Sequence, residues 1–106
     1  RRSIYYSARP RRGLALLLAC ALLGSVDVSA GKAYTANAFQ MPTHELGQAA
    51  RPDGPLYGID ASAPGKIVLF GGGFPYVVNG EVVGGIGVSG GTVEQDMDIA
   101  WYAMSL

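Results

Sequence analysis

Histidine and cysteine each occur once in the 106 residues, as His44 and Cys20. One cysteine excludes an internal disulfide and any multi-cysteine metal cage. One histidine excludes a multi-histidine metal site. Basic residues are scarce in the body of the chain: beyond Cys20 only Lys32, Arg51 and Lys66 stand against all eight acids, a balance of −5. Such a body lacks the lysines and arginines that neutralise a phosphate backbone, so nucleic acid is not expected as a partner. No Gly-Lys-Ser/Thr follows any glycine loop, which excludes a phosphate-binding P-loop. Ser89 has no histidine close in sequence and no nucleophile elbow, and no catalytic residue is assigned. The long apolar run, Gly13 to Gly24, is twelve residues, short of the roughly 20 that span a bilayer. Repeats and interdomain linkers are absent, and the length allows at most one small domain.

What is present begins with segregated charge. Arg1, Arg2, Arg9, Arg11 and Arg12 precede every acid. A basic stretch followed by the Gly13–Gly24 run has the layout of a secretory signal. Leu17-Leu18-Ala19-Cys20 looks like a lipobox, Val28-Ser29-Ala30 like a cleavage site, and Arg11-Arg12-Gly13-Leu14 faintly like a twin-arginine signal. The competing reading makes Leu14 to Leu23 a buried helix, or sequence foreign to the domain. Residues 1–20 are therefore expected to form a leader and residues 21–106 the domain. Location stays open between the cytoplasm, which is favoured, and export as a secreted or lipid-anchored protein; a membrane is a partner only in the lipoprotein case. The chain opens on Arg1 instead of Met, which suggests a fragment or a processed product.

Within the body, Ser25 to Phe39 reads as a helix with Val26, Ala30, Ala33 and Tyr34 on one side and Lys32 elsewhere. Thr43 is a candidate N-cap for a short helix, His44 to Ala50. Arg51 to Pro55 is a loop, and Leu56 to Ile59 a short extended piece. Lys66 to Phe70 has strand composition. Tyr76 to Val83 forms a hairpin around Asn79-Gly80, a pair suited to the two positive φ angles of a type I′ turn. Thr92-Val93-Glu94-Gln95 matches a capping box, opening a last helix with Val93, Met97, Ala100, Trp101 and Met104 on one stripe. Three strands and flanking helices predict a two-layer α+β arrangement. Three strands are few for a stable sheet, so other strands or other chains are expected to complete it.

Nine of the sixteen glycines fall between Gly71 and Gly91. Glycine loses the most backbone entropy on folding, so this density implies positive φ angles or very close approach. Gly71-Gly72-Gly73 admits a flat ligand against bare backbone, a sheet-bending bulge, or close packing. Gly87 to Gly91 leads from a strand into a capped helix, which suits an anion or simply a tight turn. Glu94, Asp96 and Asp98 favour the helix dipole without further function. Asp96 and Lys32 form an acid/base pair only if the fold brings them together, which spacing alone does not establish.

Several stretches occur in order and resemble the GlcG/HbpS-like family, also called the haem-degrading domain family, together with the carboxy-terminal domain of PduO-type adenosyltransferases. They are Gly24 to Val28, Lys32 to Ala36, Met41-Pro42-Thr43 with Glu45-Leu46, Leu56 to Ile59, Gly71 to Pro75, and Gly84 to Asp96. The resemblance runs from about Ala21 to the end. It implies a profilin-like α/β sandwich with a central antiparallel sheet, homo-oligomers and, in several members, bound haem. Some relatives are linked to haem breakdown or iron handling, others to glycolate utilisation. The helix and two strands that normally precede the Gly24 region are not recognisable in Arg1 to Cys20, so the sheet is expected to be incomplete there.

The resemblance implies a haem or related macrocycle held near Thr35, Thr43 or His44, with His44 the one imidazole able to ligate iron. Gly72, Gly73, Ser89, Gly90 and Gly91 are the candidate backbone contacts. Two alternatives stand beside this binding module: an enzyme or accessory subunit handling a small 2-hydroxy acid or a haem product, its carboxylate on the Gly87–Gly91 loop, and a truncated remnant without independent function.

Overall fold

A computed structural model describes residues 2–8, 15–20 and 23–105. Its elements are β1 (Arg2–Ala8), β2 (Ala15–Cys20), α1 (Leu23–Phe39), α2 (Thr43–Ala49), a 3-10 turn (Ile59–Ser62), β3 (Gly73–Val78), β4 (Glu81–Ser89) and α3 (Val93–Met104). The four strands form one antiparallel sheet in the order β2-β1-β4-β3. The α+β class and central antiparallel sheet are as expected. The strand inventory is not. Residues 1–20, expected as a leader outside the domain, contribute β1 and β2, and β1 pairs with the central strand from Ser3↔Ser89 to Ala8↔Gly84. The Leu14–Leu23 run is short and apolar, and periodicity alone does not separate a strand from a helix in such a run.

Alternation along β4 decides what lies on each face. Ile86 and Val88 point one way, into a cluster with Phe74 and Ala100 that Met97, Ile99 and Met104 complete from α3. Gly85 and Gly87 point the other way, toward α1. A Cβ on Gly87 would run into the Ser29 carbonyl, and one on Gly85 into the Ala33 carbonyl. Gly73, opposite Gly87 in the register, would meet the Lys32 carbonyl at 2.6 Å. The glycines of β3 and β4 therefore let α1 lie against bare strand backbone. Helices pack on both faces of the sheet, α1 against the glycines and α3 against Ile86 and Val88.

This approach also sets the inward face of α1. Ser29, Lys32, Ala33, Thr35 and Ala36 are buried, and Tyr34 is exposed. The expected stripe placed Tyr34 inside and Lys32 outside. The structure reverses them, since a tyrosine does not fit against a glycine strand and Lys32 has a buried partner.

The hairpin forms at Asn79 (φ 52°) and Gly80 (φ 79°), with an irregularity between Tyr76 and Val77. The capping box is complete: Thr92 Oγ1 accepts from Gln95 N, and Gln95 Oε1 accepts from Thr92 N, both at 3.1 Å. Two local expectations are corrected. Leu56 to Ile59 is a turn leading into the 3-10 segment, with Gly58 at φ 89°. Lys66 to Phe70 joins no ladder. It crosses α1 and α2, where Val68 N donates to Thr35 Oγ1 at 2.9 Å and Gly47 leaves room for the Leu69 carbonyl. A side-chain hydroxyl has replaced a neighbouring strand as its partner.

Candidate functional site

Helix α2 is about two turns of apolar anchor and polar face. Leu46 is fully buried and fixes the helix to the body. His44, Gly47 and Gln48 follow at the i, i+3, i+4 spacing that aligns side chains along one helical face, and with Arg51 just past the helix end they form one wall of a cavity of about 260 Å³. Leu69, Phe70 and Gly71 form the other wall. Gly71 keeps this wall thin: a Cβ there would stand 2.6 Å from the Met97 sulfur.

His44 is half-buried. Its ring centroid lies 5.7 Å from that of Phe74, tilted by 59°, and Phe74 in turn meets Trp101 edge-on at 5.7 Å. The Nδ1 of His44 is buried and has no hydrogen-bond partner. Buried polar atoms are normally satisfied. With Nδ1 buried, Nε2 would be the nitrogen to meet a metal or a donor.

Behind Phe70 lies a second cluster. Lys32 is fully buried, and its Nζ donates to Val88 O at 2.7 Å and to Asp96 Oδ2 at 3.1 Å. The other Asp96 oxygen, Oδ1, accepts from Gly91 N at 3.0 Å. Burial lowers the Lys32 pKa from its ordinary 10.5, while the hydrogen bond and charge of Asp96 act to raise it. The ammonium also sits 5.1 Å from the Phe70 ring centroid, a cation–π distance. One lysine thus joins α1, β4 and α3 and props the aromatic wall of the cavity. Gly72, at φ 124°, belongs to the same cluster, because a Cβ there would lie 2.5 Å from Lys32 Nζ.

Of the candidate residues read from sequence, His44 alone lines the cavity. Thr35 Oγ1 donates to Gly31 O at 2.7 Å and accepts from Val68 N. Thr43 Oγ1 accepts from Gly73 N at 3.0 Å and lies 3.4 Å from Gly73 O, and the hydroxyl is not the N-cap, which is Pro42. Both threonines are buried and hold backbone. Gly72 and Gly73 pack against α1, Ser89 is buried, Gly90 turns at φ 112°, and the Gly91 N–H is already taken by Asp96. Gln48, Arg51 and Phe70 went unnoticed in the sequence, though the spacing from His44 to Gln48 carried the signal for the first of them. Among the described residues there is no cluster of three metal-binding side chains.

The similarities to known proteins follow the same layout. The chain is 48% identical over 84 residues to an uncharacterized 15.0 kDa protein in the dhaT-dhaS intergenic region of Citrobacter freundii, covering 79% of this chain and 59% of that protein. It is 47% identical over 85 residues to the corrinoid adenosyltransferase PduO of Salmonella typhimurium, covering 80% of this chain but only 25% of that enzyme. The chain therefore spans well under two thirds of these relatives. Among solved structures, a PduOC–heme complex superposes with a TM-score of 0.85 at 38% identity, covering 98% of this chain and 76% of the other. The ORFY protein of Klebsiella pneumoniae gives 0.81 at 38% identity, over 97% and 73%. HbpS gives 0.75 at 26% identity, over 98% and 71%. The family model described as haem degrading protein HbpS-like matches residues 15–105, from the start of β2 through α3, and the chain belongs to that HbpS-like family.

Proposed function

We propose that this chain is a haem-binding domain, taking haem or a related macrocycle at the α2 cavity and working as a homo-oligomer. The observation that carries the reading is His44: an imidazole in the cavity wall whose Nδ1 is buried without a hydrogen-bond partner, so that Nε2 would be the nitrogen to meet iron. The rest of the donor set fits the group. Phe70 and Leu69 offer apolar surface to a macrocycle face, Gly71 offers bare backbone, and Arg51 stands at the polar end. When bound, the iron would supply any redox or oxygen chemistry; His44 would hold it and Phe70 would exclude water from one face. Thr35 and Thr43, both engaged with backbone, serve this site by placing Val68 and Gly73.

At about 260 Å³ the cavity falls below the ~300–1,000 Å³ of ordinary ligand pockets, so one chain holds an edge of the macrocycle and a second copy covers the remainder. Exposed Trp101 and Tyr102 on α3, at 64% and 67%, supply apolar surface for that contact. The related PduOC–heme complex and the corrinoid enzyme PduO support a macrocycle as ligand class.

The test is a hemin titration read in the Soret band, with size-exclusion chromatography following assembly. A saturable shift on a defined oligomer is expected. A folded protein that leaves the hemin spectrum unchanged would overturn the reading and favour a small carboxylate such as glycolate.

A further inference from the structure

We infer that Arg51 reads an acidic edge on the ligand, so that the cavity selects a macrocycle bearing free carboxylates; this rests on the haem reading of the same cavity. From α2 into the bend that follows it, the cavity wall passes from half-buried His44 to exposed Gln48 and Arg51. An amphipathic ligand is thereby oriented, with its metal toward His44 and its acids toward solvent. The guanidinium is uncommitted: among the described residues its side chain makes no hydrogen bond, ion pair or ring contact.

Charge makes this position matter. Residues 21–106 contain three cations against eight acids, a field that repels an acidic ligand. Lys32 is buried on Asp96, and Lys66 lies 6.0 Å from the Tyr34 ring. Arg51 is the remaining cation of that body and the one on the cavity. Its planar fork matches a carboxylate in two parallel hydrogen bonds, and Gln48 adds an amide donor beside it.

The experiment compares hemin with hemin dimethyl ester, which keeps the iron and ring but masks both acids, on wild type and Arg51→Gln. Wild type is expected to prefer hemin by about five-fold, the scale of a solvent-facing ion pair. Arg51→Gln should bring that ratio to about one by lowering hemin affinity more than diester affinity. Equal wild-type affinities, or a ratio that survives Arg51→Gln, would overturn the role of Arg51 alone. Failure of both porphyrins to bind wild type would overturn the haem reading and this inference with it.

Discussion

Replacing Asp96 by alanine isolates what the buried lysine requires. Lys32 has no solvent exposure and Asp96 is 2% exposed, so the substitution strands an ammonium with the Val88 carbonyl as its remaining hydrogen-bond partner. Removing one member of a buried ion pair costs about 3–5 kcal/mol. The freed Gly91 N–H adds a further ~1 kcal/mol, at the low end because that residue is exposed to water. A domain of this size loses about 4–8 °C of melting temperature per kcal/mol, so a fall of at least about 15 °C is expected by circular dichroism. Lys32→Met alone should also destabilise, since Asp96 is then buried without its cation. The double variant Lys32→Met/Asp96→Leu should recover much of the loss, because apolar replacements of similar volume often match a buried pair. Urea denaturation of wild type, Lys32→Met, Asp96→Leu and the double variant closes the cycle. A cost below about 1 kcal/mol for Asp96→Ala would refute the reasoning, showing that Lys32 is neutral or hydrated in the folded state.

Two other outcomes follow from the same packing. Gly87→Ala should destabilise by about 1–3 kcal/mol through overpacking, because its Cβ meets the Ser29 carbonyl of α1; an unchanged urea midpoint would contradict the close helix–strand contact. The pH dependence has a definite sign: with the folded Lys32 pKa below 10.5, the unfolded chain binds more protons in the window between the two values. Stability contributed by this group should therefore rise with pH through that window and level off above 10.5. The difference in urea midpoint between wild type and Lys32→Met checks it, and a difference that falls with rising pH would contradict the assignment.

Features set by near neighbours were readable from sequence. Asn79-Gly80 carries its own turn geometry, and Thr92 and Gln95 satisfy each other's backbone within four residues. Features set by distant partners were not. Lys32 and Asp96 are 64 residues apart, and only the fold turns a lysine from a solvated face into a buried tie. Lys66 to Phe70 has strand composition, yet Thr35 takes its backbone donor before any strand does. The glycine-rich stretch was visible as a place of close approach, but what approaches is α1 and the Lys32 side chain. His44 was visible as a candidate ligand, and its setting was partly encoded in the spacing to Gln48.

The most direct test of the central claim is the Soret spectrum of the hemin complex in wild type and His44→Ala, with imidazole then added back. If His44 holds the iron, His44→Ala should keep its melting profile, shift the Soret maximum, weaken hemin binding, and regain the wild-type spectrum with added imidazole. An identical Soret maximum and affinity in the two proteins would show that the iron is held elsewhere, and that the α2 cavity is not the haem site.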